Sequence, residues 1–305
     1  MIGPKIIGGL TNTSKMPGYS FSLQALTTCN VGAKLAKVEG TPCFYCYAKG
    51  NFYLFPSTVK AQERRLESLL EAIDNPDHGQ RWSAGLGVFL SDAEYNARRL
   101  LKKIGEPSAE SMRLYYADQK AQTLCNAGAR RILKGGDPTK ETEEAQRLAV
   151  AARQARAQCE ELKANDPEEE RRVARFVAWD NARHFRWHDS GDIVSLGHML
   201  LIDKVCRLSP TVAHWLPTQE RAVIKAYFAH LKERGLAKPS NLTIRISNSK
   251  LDQHRLSPID GTLASSVSTN GQTPGNLCPA YTQGGNCGAC RGCWGDEPLW
   301  TYPAH

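Results

Sequence analysis

The 305-residue chain is long enough to bury a substantial core as one large domain or two modest ones, and its 41% hydrophobic content is that of a globular protein. No run of about 18 apolar residues occurs, which excludes a membrane-spanning helix. The opening MIGPKIIGGLTNTSKMPGYS lacks the basic, apolar and cleavable parts of an export signal, so the expected compartment is the cytoplasm. A net charge of +8 fits a polyanionic partner, with nucleic acid, DNA first, as the expectation.

From the N-terminus, YSFSLQAL (19–26) alternates like a strand and runs into a loop holding Cys29, Cys43 and Cys46. Residues 58–73 have helical spacing, with Ser57 as N-cap after Pro56, and AGLGVFL (84–90) reads as a short buried strand. The charged stretch that follows is helix-rich and poor in β-branched residues. It reads as a helical insertion whose basic side chains, Arg98, Arg99, Lys102 and Lys103 among them, can grip phosphates. From residue 183 strand-like and helix-like runs alternate, the strands being HFRWHD (184–189), TVAHWL (211–216) and NLTIRIS (241–247).

This alternation predicts an α/β fold: a complete or partial (β/α) TIM-type barrel, with an open doubly wound sheet as the alternative. The chain then divides into first barrel strands and cysteine loop (1–90), helical insertion (91–182), remaining barrel units (183–270) and a Cys/His metal-binding tail (271–305). In such barrels chemistry sits on the loops after the strands. RWHDSGDIVS (186–195) places His188, Asp189 and Asp192 just past a strand, with Gly191 permitting a tight turn. Either carboxylate can serve as nucleophile, base or acceptor, and Asp192 can equally cap the next helix. His214, Thr218, Gln219, Glu220, Ser247 and Asn248 are expected at the same mouth.

Seven of the ten cysteines fall into two groups, and in a reducing compartment these read as metal thiolates rather than disulfides. Cys287, Cys290 and Cys293, spaced two residues apart, predict a Zn2+ site whose fourth ligand is Cys278 or His305. Cys29, Cys43 and Cys46 read in two ways: a second Zn2+ site completed from elsewhere, with Cys278 as one candidate, or three ligands of a [4Fe-4S] cluster that leaves one iron open.

CFYCYAKG directly after a first strand resembles the cluster loop of radical S-adenosylmethionine enzymes, which implies an iron–sulfur enzyme with Cys29, Cys43 and Cys46 on the cluster. CYAKGNFY, FRWHDSGDIVS, NLTIRISNS and the tail CPA…CGACRGCW…H together resemble phage proteins of the gene product 88 type. That resemblance implies a phage origin and therefore a host cytoplasm. The order of barrel, aspartates and C-terminal cysteines with histidine is similar to tRNA-guanine transglycosylases and their phage relatives. Those exchange guanine in DNA for a 7-deazaguanine such as preQ0, which protects the DNA from restriction.

This last resemblance implies that Asp192 or Asp189 attacks the sugar C1′ while the other carboxylate, or Asp92, moves protons. His188 converges on the same strand end, a small-molecule deazapurine is the second substrate, and the FRWHD aromatics hold the opened strand. On sequence, base exchange ranks first and the radical enzyme second. A zinc-stabilised nucleic-acid-binding protein without catalysis ranks third.

Overall fold

Short runs in which apolar side chains recur at every second position become strands, and the longer 3.6-period runs between them become helices that cover one face of the sheet. The computed structural model describes residues 3–13, 16–133 and 166–304, with scattered positions between 143 and 161. Its strands are β1 (Thr11–Asn12), β2 (Tyr19–Phe21), β3 (His184–Trp187), β4 (Ala213–Thr218), β5 (Leu242–Ser247), β6 (Leu263–Ser268), β7 (Asn276–Leu277) and β8 (Leu299–Pro303). They form one sheet in the order β1-β2-β3-β4-β5-β6-β8-β7. β1 runs antiparallel to β2, and the other pairings are parallel. The described helices are α1 (Gly3–Ile6), α2 (Asn30–Leu35), α3 (Pro56–Asp74), α4 (Pro76–Ile104), α5 (Ala109–Leu133), α6 (Glu169–Ala182), α7 (Leu196–Leu208) and α8 (Arg221–Glu233).

The fold is α/β as expected, but the sheet does not close into a complete barrel. β1 and β7 remain at its two edges. A closed barrel of this type uses eight parallel strands, each with its own helix. Here long helices take up residues 76–104 and 109–133, and only six parallel strands follow one another in chain order.

Two further readings are corrected. AGLGVFL is not a strand but the middle of α4, where Trp82, Leu86 and Leu90 are buried at helical spacing. The residue before α3 is Phe55, not Ser57, with Pro56 in the first turn, where its missing N–H leaves no intrahelical bond unmade.

The two faces of the sheet differ. Phe21, Phe185, Trp187, Leu216, Leu242, Ile244 and Ile246 join Leu69, Trp82, Leu86, Ile202 and Tyr227 from the helices in the main core. On the opposite face, Trp215 of β4 and Trp300 of β8 pack with Cys293 and Trp294 of the tail. Arg245, on β5, is fully buried there. The tail therefore covers a face that an open sheet would otherwise leave in water.

Candidate functional site

The carboxyl ends of β2, β3, β4 and β5 surround an open cleft of about 180 Å³. Its lining includes Cys29, Cys43 and Cys46 of the first loop, Arg186 and residues 188–192 after β3, Pro217, Thr218 and Gln219 at β4, and Ser247 at β5. The three thiols and the aspartates, far apart in sequence, thus share one space.

The loop is built to hold its sulfurs there. Cys29 precedes α2, and the N–H of Val31 in that helix donates to the buried Glu220 carboxylate at 2.7 Å, tying the loop to the end of β4. Thr41 closes the return turn by donating to the carbonyls of Leu35 and Val38, both at 2.8 Å. Gly32 leaves the necessary room: a Cβ at that position would stand 2.9 Å from Cys29 Cβ and 3.6 Å from Cys43 Sγ. Burial, reinforced by Asp192 and the neighbouring thiols, pushes Cys29 up to about 12, and burial with Cys46 beside it pushes Cys43 up to about 11. Groups so placed ionise when a cation takes the proton's place.

Asp189 and Asp192 are both buried, and both are occupied. Asp189 accepts from Ser20 Oγ at 2.9 Å, from Ser22 Oγ, and from Tyr53 OH at 3.1 Å. Asp192 accepts from the N–H groups of Ile193 (2.8 Å) and Gln219 (2.9 Å) and from Thr218 Oγ1 (2.7 Å). Burial lifts its carboxyl to about 7 against the pull of those hydrogen bonds. Asp192 is not the helix cap; Ser195 is, accepting from His198 N–H at 3.3 Å. Gly191 turns at φ 80°, and a Cβ there would lie 2.6 Å from Thr28 Oγ1, so the turn between the aspartates requires glycine.

Other expected residues lie elsewhere or in other roles. His188 has φ 60°, and burial lowers its ring to about 3, so it is neutral with no polar partner on either nitrogen. Asp92 sits exposed on α4, outside the residues lining the cleft. His214 points into the core, 2.9 Å from Ser209 Oγ and stacked on Trp187. Phe185 and Trp187 are fully buried, so they cannot hold an opened strand. Exposed aromatics on the cysteine loop and its continuation are instead Tyr45, Tyr47, Phe52 and Phe55, while Tyr19, Tyr95 and Tyr281 are exposed elsewhere.

Sequence reasoning missed Arg186, Tyr47 and Tyr53. Arg186 Nη2 donates to Tyr47 OH at 3.3 Å, and its guanidinium lies over the Trp215 ring at 4.8 Å. Its position between Phe185 and Trp187, on the opposite face of the strand, was the available signal.

The tail cysteines lie on the sheet face that carries Trp215 and Trp300, and none of them lines this cleft. Trp294 packs on His184 at the start of β3 and on Trp215, and Cys278 N–H donates to the Thr301 carbonyl at 2.8 Å. Cys287 feels the charge of Cys278 and Cys290, and Cys293 that of Cys287 and Cys278. Cys278 thus belongs with the tail and not with the first loop. His305 lies outside the described residues. Among the described residues, no three His, Cys, Asp or Glu side chains are gathered as around a single bound ion.

The profile of the family described as Gene product 88 matches residues 121–295, more than half of the chain. The chain belongs to the gene product 88 family. The matched segment holds Asp189, Asp192 and all four tail cysteines, whereas the first cysteine loop precedes it. The match begins inside the stretch read as a helical insertion (91–182). No curated protein and no solved structure matches the chain. No helix among the described residues is long and apolar enough to cross a membrane.

Proposed function

We propose that this chain is an iron–sulfur enzyme of the radical S-adenosylmethionine type, with Cys29, Cys43 and Cys46 as cluster ligands. The reading rests on one observation: the three thiols open into the same cleft as the buried polar groups at the carboxyl ends of β3, β4 and β5. The open sheet, with six parallel strands in chain order, reads as a partial barrel whose active mouth is this end.

The residues fit such a group. Three cysteines supply soft ligands and leave one metal position open, and Gly32 provides space against two of the sulfurs. When bound, the cluster would supply the reducing, radical-forming chemistry of its class. The chain's own residues then do the rest. Gln219 Oε1 and Arg186 Nε are buried without partners beside the cleft and can take up a polar cofactor or substrate. Asp192 fixes the ends of β3 and β4 relative to each other, and Asp189 fixes β2 and Tyr53 to β3.

Nucleic acid, DNA first, remains the proposed substrate class. The net charge of +8 supports it, as do the exposed rings of Tyr45, Phe52 and Phe55, on which bases can stack.

Base exchange, with a deazapurine as second substrate, is the competing proposal. The geometry gives it less support, because an attacking carboxylate needs a lone pair free towards the substrate, and both aspartates already accept three hydrogen bonds. The test is iron, sulfide and zinc content of protein prepared without oxygen, beside consumption of S-adenosylmethionine under reducing conditions. Loss of about four irons per chain in Cys29→Ala/Cys43→Ala/Cys46→Ala relative to wild type supports the cluster. Zinc alone, with guanine exchange that stops in Asp192→Ala, would return base exchange to first place.

A further inference from the structure

The tail carries a second, independent set of ligands. Cys287, Cys290 and Cys293 are spaced two residues apart, and Cys278, followed by Pro279, approaches from the other side of a turn. A structural zinc site is usually built from two pairs of ligands. A C-x2-C-x2-C run joined by a distant cysteine that precedes proline is instead the ligand pattern of a [4Fe-4S] cluster, in which successive sulfurs take separate irons. From this pattern and its surroundings we infer that Cys278, Cys287, Cys290 and Cys293 hold a [4Fe-4S] cluster with a protein ligand on every iron, on the sheet face that carries Trp215 and Trp300 and separate from the first loop.

Four features of the surroundings support it. The wall is dry and aromatic: Trp215, Trp294 and Trp300 pack around Cys293, with Met16 and Tyr302 against them. Two of the sulfurs have hydrogen-bond partners, Gly292 N–H donating to Cys290 Sγ at 3.5 Å and the Tyr302 hydroxyl lying 3.3 Å from Cys293 Sγ, the kind of contact that tunes cluster sulfurs. The run is bent tightly against β8, since a Cβ on Gly292 would stand 2.0 Å from the Trp300 ring.

Finally, a cation lies close. Arg291 sits within the cysteine run, between Cys290 and Cys293, and pairs with Asp180 through Nε at 2.9 Å. Positive charge beside a set of four thiolates offsets the net negative charge of the loaded site.

The frame for this centre is already built from protein. Arg245 donates from Nε to the carbonyl of Cys293 (3.1 Å), from Nη2 to those of Gly292 (3.1 Å) and Gly295 (3.0 Å), and from Nη1 to those of Glu297 (2.8 Å) and Ala264 (3.2 Å). Thr243 Oγ1 holds the Trp294 carbonyl at 2.9 Å, and Trp294 Nε1 holds the Phe185 carbonyl at 3.0 Å. The turn is thus clamped to β3 and β5 at several points, with Cys293 buried and none of the four cysteines among the residues lining the cleft.

The experiment counts iron, acid-labile sulfide and zinc in full-length protein reconstituted without oxygen, in three chains: wild type, Cys29→Ala/Cys43→Ala/Cys46→Ala, and Cys287→Ala/Cys290→Ala. The expected result is about eight irons per chain in wild type and about four in the loop variant, which keeps its brown colour. The loop variant reads the tail without touching it, so misfolding of the tail variant does not affect the answer. One zinc and no iron in the loop variant, or no metal there at all, overturns the tail cluster while leaving the first loop's cluster to stand on the wild-type count. If the loop variant keeps all the iron of wild type, the tail cluster stands and the function proposed for the first loop falls.

Discussion

The two cysteine groups lie at separate places on the same sheet, and what surrounds them differs in kind. Cys29, Cys43 and Cys46 line an open cleft together with carboxylates, a hydroxyl and an unpartnered amide oxygen. The tail group is closed in by Trp215, Trp294 and Trp300, and Arg245 grips its backbone through four carbonyls. Ligand type alone does not distinguish the two. What does is whether the space beside the sulfurs is left for a substrate or filled by the chain, so the first group can take part in chemistry and the second can hold the fold.

The severest way to break this contrast is to remove Arg245. In Arg245→Met, buried carbonyls lose their donors, and unfolding by denaturant should show a loss of about 3 kcal/mol or more, with the tail opened to proteases. A loss below about 1 kcal/mol would mean that the tail is not clamped as described.

Metal removal is next. Cys293→Ala should lower the melting temperature by several degrees, whereas Cys46→Ala, on the open side, should leave melting nearly unchanged and remove metal from the loop. Equal effects on melting would erase the distinction.

Gly32→Ala sharpens it further. The added methyl meets Cys29 Cβ at 2.9 Å, so metal retained by the loop should fall several-fold for about 1 kcal/mol of stability.

The smallest effect is a pH slope from Asp192, best read in the chain whose three loop cysteines are alanine. Its carboxyl titrates near 7 when folded, well above the ordinary 3.8. The native state therefore holds a proton that the unfolded chain has lost between those values. Stability should fall as pH rises through that window and level off above it, and Asp192→Asn should flatten the slope.

Much of the scaffold was legible in the sequence because β3, β4 and β5 carry strong alternating or apolar runs with short helical crossovers. β6 was not: LASSVS is rich in serine, and only its neighbours show why, since Ser266 shares a hydrogen bond with Thr301 of β8 at 2.8 Å. The stretch 84–90 misled because its helical partner Trp82 lies just outside the apolar run that suggested a strand.

At the site, the spacing put Asp189 and Asp192 at the right strand end. It could not reveal that Ser20, Ser22, Tyr53 and Thr218 already satisfy them, because such partners come from distant parts of the chain. The same limit hid Arg186, whose contacts with Tyr47 and Trp215 exist only once the sheet has formed.

The strand that leads into the first cysteine loop finds its parallel partner very late in the chain, since Tyr19 is in register with Phe185. β3, β4 and β5 are joined by short crossovers and pair with near neighbours, so they are expected to assemble quickly, while closing the long β2–β3 loop is slow. During synthesis, Cys29, Cys43 and Cys46 leave the ribosome well before the strand that will shelter them exists, whereas the tail cysteines emerge after β3, β4, β5 and β6. The loop thiols therefore wait longest in solvent, and oxygen present during expression should damage the first cysteine loop before it reaches the tail.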